Sequence, residues 1–395
     1  MTGPRLVLLD EGANVVDDVE DPEAASTARL PGRDEDWRQV LADRRTPRST
    51  AAAHRFVLLG TAGGANPKAT RAGYANAVVA GDAAYLIDCG EGAHRQLWRA
   101  GLTLNTRLAP DRPLVRALFV THLHADHIMD LANLLVGSWP PHVIDVYGPA
   151  PAGLPIPVFP PGSVRPLVFP DAPTPGMRET LDQLLRAYAY NINLRVADEG
   201  RPDVTGSVNV HEIGVRRDGY EPQVDLGCIA DGRSAASAAP TMEPVLIYPE
   251  DEHGVTVRAI LVQHAPAFPA FGFRFDTPHG SVVFSGDTGP CDNVVRLAQG
   301  ADVLVHEVID IDLLALRLRH LPNYQAIRKH LASSHSTPEQ VGATASQAAV
   351  RTLVLSHLVP ADLGVTEEEW EARLRPHFAG EIVCGVDLDE FSLQR

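Results

Sequence analysis

The segment THLHADHIMDL, residues 121–131, constrains this chain more than any other stretch. It follows an apolar run, PLVRALFV at 113–120, which reads as a strand with a buried face. Six consecutive positions then supply His122, His124, Asp126 and His127. A tight loop after a strand turns such side chains toward one point, and imidazole with carboxylate is a usual zinc set. Packed together without a cation, these four groups would face heavy desolvation and mutual repulsion. The competing reading is a polar surface loop with incidental histidines.

Four further strand-like runs end on similar residues. VRAILVQ leads into His264, VVFSG into Asp287, DVLVH into Glu307 and TLVLS into His357. Functional groups gather at the carboxyl ends of strands in α/β sheets. Taken singly, each is more simply a satisfied structural residue; taken with the first motif, their convergence favours two metals. Two dications among five neutral imidazoles and these carboxylates leave a net positive site, suited to anionic esters.

The ordered set HLHADH, QHAPAFPAFGFRF, SGDTGPCDN, HE, HST and SH resembles the metallo-β-lactamase superfamily. More narrowly it resembles the ribonuclease Z branch with its arylsulfatase-like relatives, to which GTAGGANPKATRAGYANAVV (60–79), DCGEGAHRQL (88–97) and VYGPAP (146–151) are also similar. The likeness covers about 55–150 and 250–360. It implies an α/β fold, the four-layer αββα sandwich. It further implies that His122, His124 and His264 hold one metal, that Asp126, His127 and His357 hold the other, and that Asp287 bridges them. A water between the metals would be the nucleophile. His335, in SSHSTPE, matches the HST motif and would serve the leaving oxygen. Glu307 would orient His335, so that His335, Glu307 and Asp126 form the catalytic set. Asp88 would brace a metal-bound histidine; a purely structural turn is its alternative role. Zinc is the expected metal, with manganese or iron admissible at the carboxylate-containing position.

The net charge of −16 bears on partners, because diffuse negative charge repels nucleic acid unless a local basic patch intervenes. Residues 150–245 carry eight Arg, no Lys and twelve acids, whereas the resemblance implies a basic arm that grips tRNA. HEVIDIDLLALRLRH also departs from the family's continuation after HE. The expected substrate is therefore an anionic small molecule or short nucleic acid, cleaved at a phosphodiester or sulfate ester. Three alternatives stay open: a tRNA 3′-end endonuclease, a hydrolase of lactones, thioesters or β-lactams, and a non-catalytic metal-binding protein. Arg317, Arg319, Arg328 and Lys329, with His320 and His330, would attract an anion if they lined the pocket; otherwise they are a solvated face. Of Phe268, Phe271 and Phe273, at least two are expected in the core.

Residues 1–53 read as an N-terminal extension and 54–395 as one domain, with a Pro-rich insertion at about 150–245 that edges the pocket. Ten prolines between 149 and 175 exclude a regular helix or central strand there. Helices are expected over 91–102, 177–190, near 291–299 and from Thr337 and Thr366. The chain has no long apolar run to span a membrane and no signal peptide, so a cytoplasmic location is expected. Four dispersed cysteines suggest no disulfide framework. A homodimer is implied only by the resemblance.

Overall fold

The computed structural model describes residues 8–9, 15–17, 45–153, 156, 158, 162–216, 221–226, 239–361 and 365–393. Near the start, β1 (Leu8–Leu9) and β2 (Val15–Asp17) pair as a two-stranded antiparallel ribbon. Two larger sheets follow. The first runs β17-β3-β4-β5-β6-β7-β8-β9, built from β3 (His54–Gly60), β4 (Ala75–Ala80), β5 (Ala83–Ile87), β6 (Leu114–Phe119), β7 (Ile144–Pro149), β8 (Val208–Gly214), β9 (Val224–Asp225) and β17 (Glu390–Ser392). The second runs β10-β11-β12-β13-β14-β15-β16, from β10 (Val245–Tyr248), β11 (Thr256–Leu261), β12 (Phe271–Thr277), β13 (Gly280–Phe284), β14 (Val303–Ile309), β15 (Thr352–Val359) and β16 (Glu381–Cys384). Each sheet begins with antiparallel hairpins and continues with parallel strands.

Strand alternation explains why the sheets stack. In β3, Phe56 and Leu58 face the space between the sheets, while Val57 and Leu59 face the outer helices. In β12, Phe271, Phe273 and Phe275 all enter the inter-sheet core, and Arg274 points out to Asp276 and the Leu297 carbonyl. Phe119 of β6 stacks on Tyr147 with centroids 5.0 Å apart and meets Phe275 edge-on at 5.2 Å. Outside the first sheet lie α1 (Ala93–Arg99), α2 (Ala125–Ile128), α3 (Met177–Ala187) and α4 (Ala189–Ala197), which bury Leu97, Met177, Leu181, Leu185 and Ile192 against it. Outside the second lie α5 (Asp292–Ala298), α8 (Pro338–Ala348) and α9 (Glu367–Leu374), burying Leu297, Val341, Ala345 and Trp370. Two more helices, α6 (Ile311–Leu318) and α7 (Tyr324–Ser334), connect β14 to α8. Helix, sheet, sheet, helix: the layers are those of the αββα sandwich. Both expected capping boxes are present, at Thr337 with Gln340 and at Thr366 with Glu369.

Two readings of the sequence need correction. The single helix over 177–190 breaks at Tyr188 into α3 and α4, although the stripe of Met177, Leu181 and Leu185 is buried as its spacing implies. The stretch 150–245 does not stand apart from the core, because β8 within it pairs in parallel with β7 from Ile144↔Val208 to Pro149↔Ile213. In VNVHEIG the apolar alternation covers only Val208 and Val210 before burial shifts to Ile213, too short a pattern to mark a strand by itself. No helix among the described residues is long and apolar enough to cross a membrane. Cys89, Cys291 and Cys384 are free thiols, and Cys228 lies outside the described residues.

Candidate metal centre

The two sheets present their strand ends to a common edge, and the backbone ties them together there. Thr121, just after β6, accepts from the Phe271 N–H at 3.0 Å. Across the same edge, Leu358 N–H donates to the Thr61 carbonyl at 2.9 Å and Gly63 N–H to the Leu358 carbonyl at 3.1 Å. The loop 121–127 from the first sheet is thereby placed opposite the ends of β11, β13, β14 and β15 from the second.

Two groups of ligand atoms form at this seam. In the first, His122 Nε2 and His264 Nε2 lie 3.0 and 3.1 Å from His124 Nδ1. Asp287 Oδ2 completes the group, 3.8 Å from His122 Nε2 and 3.9 Å from His264 Nε2. In the second, His357 Nε2 sits 3.2 Å from both Asp126 Oδ2 and Asp287 Oδ1. His127 Nε2 lies 3.4 Å from Asp287 Oδ1 and 3.8 Å from Asp126 Oδ2. A tetrahedral ion with bonds of about 2.0–2.1 Å needs ligand atoms about 3.3 Å apart, so both groups have the spacing of a coordination shell. The seven side chains expected from the sequence are thus brought together, and Asp287 divides its two oxygens between the groups.

The surroundings aim each donor inward. His264 Nδ1–H donates to the Ser334 carbonyl at 2.8 Å and His127 Nδ1–H to Asp88 Oδ2 at 2.8 Å, which leaves Nε2 of each ring as the free donor. Asp88 also accepts from the Thr121 N–H at 2.7 Å and from the Thr121 hydroxyl at 2.8 Å. Both Asp88 and His357 hold positive φ, 59° and 51°, a conformation that costs an ordinary residue about 1–3 kcal/mol and clusters at functional sites. Gly64 N–H donates to Asp126 Oδ2 at 2.7 Å.

Whether a cation fits is answered by the atoms that lack partners. His127 Nε2 and Asp287 Oδ1 are buried and have no hydrogen-bond partner, though each faces the centre of the second group. Buried orphans of this kind are rare and costly unless something else binds them. The electrostatics agree. Burial lowers the basicity of His122 and His264, with His124 brought down to about 4, so these rings stay neutral lone-pair donors. Burial also acts against charge on His127, but Asp287, Asp88 and Asp126 outweigh it and hold its proton, the nearest substitute for a cation. The donor set is compatible with divalent metal at both positions.

His335 stands between the two groups, its ring centroid 5.1 Å from that of His264 and 6.0 Å from that of His357, with Glu307 behind it. His335 Nδ1–H donates to Glu307 Oε1 at 3.0 Å and lies 4.0 Å from Asp287 Oδ2. Burial disfavours the imidazolium, yet the Glu307 carboxylate prevails and His335 is pushed up to about 9. Glu307 Oε1 accepts as well from the Thr288 N–H at 2.9 Å, which fixes the carboxylate from behind. His306 is turned away, its Nδ1–H donating to the Glu307 carbonyl at 2.7 Å.

One further residue had no signal of its own in the sequence. His330 of α7, read only as part of a basic run, is half-buried with its ring centroid 6.3 Å from those of His124, His264 and His335. Its place one helical turn before Ser334 is the pattern that could have found it. Its neighbours Arg319, His320, Arg328 and Lys329 are exposed, a solvated face; the Arg317 side chain lies outside the described residues. Phe271 and Phe273 are in the core, whereas Phe268 is half-buried at the rim of the site.

Comparison with known proteins agrees with this geometry. The family model described as the metallo-beta-lactamase superfamily matches residues 70–189, and that described as the beta-lactamase superfamily domain matches 225–358. The chain is 32% identical over 333 residues to a protein named ribonuclease Z from Mycobacterium bovis, covering 84% of this chain and 96% of the relative. It is 33% identical over 331 residues to the ribonuclease Z of a Mycobacterium species, strain KMS, covering 84% and 93%. Among solved structures its fold resembles the short form of human tRNase Z, with a TM-score of 0.51, 20% identity, and 86% of this chain and 100% of that one covered. It likewise resembles the metallo-beta-lactamase fold protein YhfI of Bacillus subtilis, with a TM-score of 0.50, 17% identity, and 86% and 98% covered.

Proposed function

The chain belongs to the metallo-β-lactamase superfamily, on its ribonuclease Z branch, and from that premise we propose that it hydrolyses a phosphodiester with two divalent cations held by the seven gathered ligands. The observation that carries the proposal is Asp287, whose Oδ1 belongs to one ligand group and whose Oδ2 belongs to the other. His122, His124 and His264 hold one ion, Asp126, His127 and His357 the second. Zinc is the favoured occupant, since imidazole dominates both sets. When bound, such a pair acidifies water and neutralises charge on the phosphoryl oxygens.

The chain's own residues supply the remainder. His335 holds a proton at neutral pH because Glu307 sustains it, and it is placed to give that proton to the leaving oxygen. Glu307 fixes the ring so that Nε2 is the free edge. Asp88 keeps His127 in one tautomer. Water adds to phosphorus and gives up a proton to solvent, the bond to the leaving oxygen breaks, that oxygen takes the proton from His335, and His335 regains one from solvent. A sulfate ester presents the same tetrahedral anion and remains within this reading.

A second reading is favoured by a separate observation. Relatives that share a third of their residues over 84% of the chain carry the name ribonuclease Z, which supports cleavage of precursor tRNA at its 3′ end. Against it stand the net charge of −16 and the excess of acids over Arg in 150–245. A homodimer could assemble a basic surface, which the net charge of a single chain disfavours. The zinc-loaded protein should be offered bis(4-nitrophenyl) phosphate, 4-nitrophenyl sulfate, a chromogenic lactone and a precursor tRNA. Turnover of the phosphodiester supports the first reading, and efficient tRNA cleavage at nanomolar substrate supports the second. Turnover of the lactone alone overturns both.

A further inference from the structure

A cavity of about 450 Å³ adjoins His122 and His124. One side is formed by Leu123 and Ile128, which flank the metal loop; another by Phe268 and Pro269; the outer wall by Pro149 and Ile156. Among the described residues no Lys, Arg, Asp or Glu lines it, and besides the two histidines its polar side chains are those of Thr174 and Thr180. The volume lies within the range of small-molecule sites, about 300–1,000 Å³. A charged group placed there would lose water and gain no side chain of opposite charge among the described residues. A polynucleotide carries a charge at every link, so continuing one through this hollow would be costly. An apolar arm would gain by displacing water from the wall.

The cavity also has a side. Its lining includes His122 and His124 of the first ligand group but neither His335 nor His357. The leaving oxygen must approach His335, so the group that fills the hollow is the one that stays on phosphorus. We propose, resting on the phosphodiester reading above, that this cavity binds the retained ester arm of the substrate and selects an aryl or branched alkyl group. The substrate class is then a small phosphodiester with one apolar arm.

The test holds the leaving group constant. 4-Nitrophenyl phosphodiesters carrying methyl, phenyl or carboxymethyl as the second ester are compared on the zinc-loaded protein. Phenyl should exceed methyl in kcat/KM by about tenfold, chiefly through KM, with carboxymethyl below both. The phenyl-to-methyl ratio should fall toward unity in Phe268→Ala and in Ile156→Glu; because the ratio is read within one protein, loss of folded enzyme cancels. Calorimetric binding of phenylphosphonate and methylphosphonate gives an answer independent of turnover. Equal kcat/KM for the phenyl and methyl esters overturns the cavity's role while leaving the hydrolysis reading intact. If no ester is cleaved, yet phenylphosphonate binds about tenfold tighter and Phe268→Ala removes the difference, the cavity reading stands and the hydrolysis reading falls. Equal binding of the two phosphonates overturns the proposal.

Discussion

The carboxylate of Asp88 accepts from His127 Nδ1 at 2.8 Å while also taking both the N–H and the hydroxyl of Thr121. One buried side chain thereby sets the tautomer of a ligand and anchors the loop on which that ligand sits. Replacing it by Asn keeps the size but offers an amide where two donors converge. Asp88→Asn should weaken metal binding by about 10–100-fold, as loss of a partner behind a metal-bound imidazole does. Competition with a chromophoric chelator reads the affinity. An affinity matching wild type would assign Asp88 a purely structural turn role.

The His335–Glu307 pair sets a pH limit. A group raised above its ordinary value is protonated at every pH below its own pKa, here about 9, so the general acid is charged at neutral pH and is lost as pH climbs through that value. Glu307→Gln removes the strongest support for the imidazolium, leaving burial opposed only by the more weakly acting Asp287 and Asp126. The alkaline limb of the kcat/KM profile should therefore move to lower pH in the variant, and kcat should fall by about 10²–10⁴-fold if proton delivery is lost altogether. An alkaline limb that does not move excludes His335 as the group being read.

Gly63 is required by space. A Cβ there would lie 2.5 Å from the His357 ring and from Val359 Cγ2. Gly63→Ala should push His357 off the second ligand group, with an overpacking cost of about 1–3 kcal/mol. Metal analysis of the folded variant should show the second ion preferentially depleted. Full metal content would mean that the loop 61–64 yields instead.

Phe119 links the core to the centre. Its ring fills the inter-sheet space against Tyr147, Phe273 and Phe275, two residues before Thr121. Phe119→Ala should cost about 3–5 kcal/mol of stability, visible as a lower denaturation midpoint. A loss under 1 kcal/mol would show that the sheets repack without it.

Much of this was legible because the decisive groups follow strands whose periodicity is strong. THLHADHIMDL directly follows PLVRALFV, and His264, Asp287 and His357 each follow a further apolar run, so the side chains that gather at the seam already stand at strand ends in the sequence. What escaped depends on who packs against whom. β8 has too short an apolar alternation to mark a strand by itself, and its pairing with β7 is a choice of partner that alternation cannot reveal. The break at Tyr188 falls inside a stripe that local spacing leaves continuous. His330 reaches the centre only because α7 lies across it, and Gly64 because its N–H meets Asp126, 62 residues along the chain.

The central claim is that Asp287 joins two cation sites in one chain. Elemental analysis of the protein after zinc loading and desalting should find two ions per wild-type chain, and Asp287→Ala should retain one or none. A folded wild-type protein that takes up no metal, or an Asp287→Ala variant that holds both ions as tightly, would contradict the account.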